Sequence, residues 1–163
     1  MTEKPVVHST FTIERIYAAP PARVFAAFAD PALKRRWLMD GNGSAADSYS
    51  TEFRVGGFEK SRFTFTGGPP GAPPPGTQMG NDTVYLDIVP DERIVFAYCM
   101  LVGDRRMSSS LATVELCPSG SGGTRLLFTE QGAFFHPSDG PQLREAGWRG
   151  ILANVEKELQ HAG

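Results

Sequence analysis

One change of hydrophobic period constrains this chain more than any other feature. From Tyr49 to Gln131, apolar residues recur at every second position or run continuously, as they do in strands. After Gly140-Pro141 the spacing becomes helical. Trp148, Ile151, Leu152, Val155 and Leu159 stand at i, i+3, i+4, i+7 and i+11, a strong amphipathic stripe. Glu145, Arg149, Asn154, Glu156, Lys157 and Glu158 mostly take the other face. About 20 residues at 1.5 Å rise give roughly 30 Å, enough to cross a whole sheet. Gly147 and Gly150 fall inside this helix. Each costs about 1 kcal/mol against Ala there, and both are expected where something packs close to the backbone. A block of strands followed by one long amphipathic helix is an α+β layer architecture.

The N-terminal part adds a second signature. Ser9–Tyr17 alternates, with Phe11 and Ile13 opposite Thr12, Glu14 and Ile16, and reads as a half-buried strand. Pro20-Pro21 ends it and starts a short helix over 22–29 that carries Val24, Phe25 and Phe28. Asp30-Pro31 starts another over 31–38, with the Asp30 carboxylate as its cap. This helix presents Leu33 and Trp37, and leaves Lys34, Arg35 and Arg36 to solvent.

The strands that follow are read over 49–55, 58–66, 83–89, 93–102, 107–117 and 124–131. Arg93–Val102 is nearly all apolar, so it is expected at the centre, covered on both faces. It also permits a sheet-packed homodimer. Gly56-Gly57 marks a turn or bulge. Cys99 and Cys117 lie on adjoining strands, but pairing about the hairpin sets Cys99 opposite about 111–113, so no disulfide is expected.

Composition narrows the class. The 163 residues suit one domain, 1–163. A net charge of −2 offers no basic footprint for nucleic acid. No apolar run reaches the roughly 20 residues of a membrane span, and the first ten residues lack the layout of a secretory signal. A soluble, cytoplasmic protein is the expectation. Of the 18 Gly and 13 Pro, four Gly and five Pro fall in GGPPGAPPPG, residues 67–76, within a stretch read as an exposed mobile loop over 67–80. The 11 Phe fall mainly on the first helix and the strands. A twisted sheet curls, and a helix across its concave side leaves a cavity unless bulky residues fill it.

Several motifs together resemble a known family. They are Thr12–Pro20, Val24–Pro31 with Trp37, Phe53-Arg54-Val55-Gly56-Gly57, Asp87–Ile94, Gly123–Leu126, Glu130–Phe135 and Gly147-Trp148. The run resembles the START-like (SRPBCC) superfamily and, more narrowly, bacterial proteins similar to the activator of Hsp90 ATPase. The resemblance covers nearly the whole chain outside the Gly/Pro loop. It implies a helix-grip fold, in which a twisted seven-stranded antiparallel sheet grips the C-terminal helix. Function is less constrained, because this fold carries ligand-binding modules, cyclases, hydrolases and co-chaperone modules.

No metal spacing, phosphate loop, dinucleotide fingerprint or nucleophile elbow occurs, so no cofactor is expected. Glu130 shares a strand face with Leu126 and Phe128. On a concave face it is either a ligand-bonding or basic carboxylate of raised pKa, or a strand-end carboxylate paired with an Arg. Arg54 beside the Gly-Gly turn and His136 in the loop before the long helix are further polar candidates. Trp37, Phe65, Tyr85, Phe96, Tyr98, Met100, Trp148 and Leu152 are core or cavity wall, and a buried Tyr85 or Tyr98 needs a polar partner. The leading expectation is a cavity between sheet and helix for a small apolar or amphipathic molecule. A cyclase- or hydrolase-type enzyme and an Hsp90 co-chaperone contact are the alternatives.

Overall fold

The alternation of Ser9–Tyr17 produces strand β1, Val7–Tyr17, with Phe11, Ile13 and Tyr17 turned inward and Ile16 outward. The computed structural model describes residues 5–40, 44–68, 70–137 and 139–161. Two short helices follow β1: α1, Pro21–Ala29, and α2, Pro31–Met39. Asp30 ends the first and caps the second, its carboxylate accepting from the Ala32 and Leu33 amides at 2.9 and 3.4 Å. Six strands come next: β2 (Ser44–Thr51), β3 (Phe58–Phe65), β4 (Gln78–Val89), β5 (Arg93–Val102), β6 (Arg105–Ser119) and β7 (Gly123–Phe134). Helix α3 runs from Pro141 to His161.

The strands form one antiparallel sheet in the order β1-β7-β6-β5-β4-β3-β2. The architecture is the expected α+β helix grip. Its seven-stranded twisted sheet carries α3 against the concave face. No helix among the described residues is long and apolar enough to cross a membrane.

Several boundaries and faces differ from the sequence reading. β2 ends at Thr51, so Glu52–Gly57 form the turn into β3. Gly57 is required there: a Cβ would stand 2.1 Å from the Glu52 carbonyl oxygen. β4 begins at Gln78, which shortens the Gly/Pro loop expected over 67–80. A bulge at Leu86 turns Ile88 onto the same side as Tyr85, while Val84 and Leu86 stay exposed. β5 is central, but only one face is buried. Ile94, Phe96 and Tyr98 point inward, whereas Val95, Ala97 and Cys99 are half-buried on an uncovered convex face. Cys99 pairs with Ser109, and both cysteines are free thiols.

The core fills the end of the grip near α1 and α2. Phe28 packs edge-on against Trp37 at 4.9 Å between centroids, and the Trp37 indole donates to the Ala27 carbonyl at 2.8 Å. The C-terminal half of α3 is tied down from three elements. Arg15 of β1 meets Glu156 at 2.8 Å, Arg23 of α1 donates to the Leu159 carbonyl, and Arg36 of α2 holds Glu158 through two nitrogens. The Tyr17 hydroxyl donates to the Leu152 carbonyl at 2.9 Å. Glu158 thus belongs to the packed side of α3, not to its solvated face.

Candidate functional site: a cavity under the first half of α3

Beyond Trp148 the aromatic filling stops. Phe128 stacks on Trp148 at 4.3 Å between centroids, and Phe96 closes the same cluster. Toward the N-terminus of α3, the helix and sheet leave between them a partly open cavity of about 540 Å³. Its sheet side is built from rungs that run across the strands. Ser61, Asn81, Met100 and Ser108 are successive partners on β3, β4, β5 and β6. The next rung is Glu59, Thr83, Tyr98 and Ser110, of which Tyr98 borders the cavity. Phe63 and Phe65 continue the inward face of β3 and border the cavity.

The other walls come from helices and loop. Leu38 and Met39 end α2 at the cavity, and Leu143 and Ile151 border it from α3. Gly67, Gly68, Ala72 and Pro73 bring the Gly/Pro loop onto its rim. Met39, Met79, Met100 and Met107 all line it, four of the five methionines in the chain. Methionine supplies a polarisable apolar surface that adapts to different shapes. Gly147 and Gly150 also border the cavity, and a Cβ on either meets no heavy atom within 4 Å. The expectation of close packing at these glycines is therefore overturned: they face open space.

Arg144 forms the polar end of the cavity. It is buried and donates to the Tyr98 hydroxyl at 3.0 Å, Glu130 at 3.2 Å and the Ser108 hydroxyl at 2.7 Å, and it pairs with Asp139. The Tyr98 hydroxyl donates to Glu130 at 2.5 Å and accepts from the Trp148 indole at 3.0 Å. Ser110 donates to the other Glu130 oxygen at 3.1 Å. Burial pushes the Glu130 carboxyl above the usual range, and the Arg144 charge with the Tyr98 and Ser110 hydrogen bonds only partly offsets it. Glu130 stands behind Tyr98 and Arg144 and does not border the cavity. Its chemistry is to hold those two side chains, which do.

A second buried network sits beside the site. Lys34 meets Glu59 at 2.7 Å and donates to the Tyr85 hydroxyl at 3.2 Å. Tyr49 and Tyr85 both donate to Glu59, at 2.7 and 3.2 Å. Burial alone would lower the Lys34 ammonium, but the Glu59 carboxylate and Tyr85 outweigh it and hold its pKa above the ordinary value. Lys34 is thus a charged strut between α2 and the sheet, not a solvated lysine.

A family model described as activator of Hsp90 ATPase homolog 1-like protein matches residues 18–160. The chain belongs to this family. The chain is also similar to several solved structures. The Mll3558 protein from Rhizobium loti is 52% identical, over 95% of this chain and 99% of that one, with a TM-score of 0.81. A putative uncharacterized protein from Rhizobium leguminosarum is 36% identical, over 96% and 97%, with a TM-score of 0.85. CV1439 from Chromobacterium violaceum is 26% identical, over 92% and 96%, with a TM-score of 0.75. Comparison with curated proteins gives no match.

Within this activator-of-Hsp90-ATPase-like fold, the sequence candidates separate. Phe65, Tyr98, Met100 and Trp148 border the cavity. Trp37, Tyr85, Phe96 and Leu152 are packed in the core instead, because the filled end of the grip consumes them. Arg54 is turned to solvent and pairs with Glu52 at 2.9 Å, outside the cavity. His136 is half-buried past the end of β7 and does not border the cavity either. Sequence reasoning missed Arg144, Lys34, Ser61 and Asn81. Arg144 was findable, since it continues the α3 stripe one turn before Trp148. Ser61 shares parity with Phe63 and Phe65 and was findable on the same ground.

Proposed function

We propose that the protein binds a small apolar or amphipathic molecule in the cavity between the sheet and the first half of α3. The single observation that carries this reading is the cavity of about 540 Å³ beside an otherwise packed core. That volume lies within the range of small-molecule sites, and the walls are mostly non-polar, with four Met, two Phe, two Leu and an Ile among small Gly and Ala residues. Affinity comes from apolar area removed from water, at about 25 cal/mol per Å². Tyr98 and Arg144, both held by Glu130, close one end of the cavity. Adaptable methionines beside fixed aromatic rings suit a set of related shapes more than one rigid ligand.

Fluorescence titration with the neutral probe N-phenyl-1-naphthylamine tests this reading. The parent protein is expected to bind one equivalent. Gly147→Leu adds a bulky side chain at an exposed position on the cavity rim and is expected to weaken binding by tenfold or more. The same change replaces glycine inside a helix and is expected to leave Tm unchanged or higher. Equal probe affinity in the parent and the variant would contradict binding at this site.

A further inference from the structure

The cavity wall contains a polar pair that the protein itself leaves unsatisfied. Ser61 on β3 and Asn81 on β4 are direct cross-strand partners, so their side chains stand side by side on the concave face. Both border the cavity. The Ser61 Oγ and the Asn81 Oδ1 are buried and have no hydrogen-bond partner among the described residues. Ser61 is only 1% exposed. Leaving such atoms unpaired is costly, and native structures rarely do so without a reason. At the opposite end of the cavity every polar atom of the Arg144 cluster named above is paired, so the contrast lies within one site.

We propose that Ser61 and Asn81 form a polar subsite that receives a neutral hydrogen-bond donor of the bound molecule, a hydroxyl or an amide N–H. This deepens the cavity-binding reading and rests on it. The Asn81 oxygen accepts, and the Ser61 hydroxyl both donates and accepts, so a ligand hydroxyl can donate to Asn81 and accept from Ser61, and an amide N–H can donate to either oxygen. A charged group fits poorly. The pair is flanked by Phe63, Met79 and Met100, which give no counter-ion, and on the other side Glu59 and Lys34 are already paired with each other. The Arg144 guanidinium is already engaged by Asp139 and Glu130. An ion seated there would lose its hydration without compensation. The ligand class is therefore a neutral amphipath, with one donor group toward β3–β4 and an apolar body along the methionines and Trp148.

The test uses two probes that differ by one hydroxyl, 1-naphthalenemethanol and 1-methylnaphthalene. Their affinities for the parent and for the Ser61→Ala/Asn81→Leu protein are measured by displacement of N-phenyl-1-naphthylamine. The ratio of alcohol to hydrocarbon affinity is expected to fall about tenfold in the double variant, with the hydrocarbon bound as tightly as before or tighter. Ser61→Ala alone is expected to lower the ratio about threefold with no loss of Tm, and it decides the matter if the double variant does not fold. An unchanged ratio, with both probes still bound, overturns the subsite and leaves the cavity reading standing. Failure of the parent to bind either probe overturns both.

Discussion

Two buried carboxylates, Glu59 and Glu130, stand on the concave sheet face, and a helix answers each with one cation. Lys34 comes from α2 and Arg144 from α3. Removing one partner of a buried pair strands the other's charge, whereas replacing both with apolar side chains is often neutral. Lys34→Met is therefore expected to destabilise by about 3–5 kcal/mol, and Lys34→Met/Glu59→Leu to recover most of that loss, in urea unfolding. A loss under about 1 kcal/mol for Lys34→Met would show that the pair does not matter. Glu130 was legible because its parity with Leu126 and Phe128 puts it on the inward face. Lys34 was not, because three consecutive basic residues look alike in sequence. Only the helix rotation set by Trp37 decides which of them turns inward.

At the scale of elements, α3 has two unlike halves. Its C-terminal half is clamped by Arg15, Arg23 and Arg36, and its N-terminal half borders the cavity through Gly147 and Gly150. The Arg36 hydrogen bonds hold the Glu158 carboxyl below its usual range despite its partial burial. A lowered carboxyl pKa supplies stability above the unfolded-state value that is lost as pH falls through the folded-state one. Glu130 has the opposite sign: its raised pKa favours the fold at low pH and disfavours it as pH rises. Below about pH 4.5, Tm is expected to fall less steeply in Glu158→Gln than in the parent, and as pH rises above about 4.5 Tm is expected to lose less in Glu130→Gln than in the parent. Parallel Tm profiles for all three proteins would contradict both assignments. The cap between α1 and α2 gives a simpler test: Asp30→Ala is expected to cost about 1 kcal/mol in equilibrium unfolding, and no change would show that the two amide contacts are not stabilising. The long helix and the limits of β5 were legible because each carries a sustained period. The uncovered back of β5 and the bulge at Leu86 were not, since an apolar run reports neither the second face nor a register shift.

For the whole molecule, the open question in the sequence was whether the aromatic rings fill the grip or line it. They do both, at different ends. Phe28, Trp37, Phe96 and Phe128 close one end, while Phe63, Phe65 and Trp148 border the space left at the other. Which ring does which depends on how far α3 stands from each strand, and no local pattern encodes that distance. Four methionines now mark the space from four different elements, α2, β4, β5 and β6. A titration of methyl-labelled methionine protein with N-phenyl-1-naphthylamine, followed by NMR, reads occupancy of the cavity at its walls. The methyls of Met39, Met79, Met100 and Met107 are expected to shift together with a single dissociation constant. Probe binding that leaves all four methyl signals in place would contradict occupancy of this cavity.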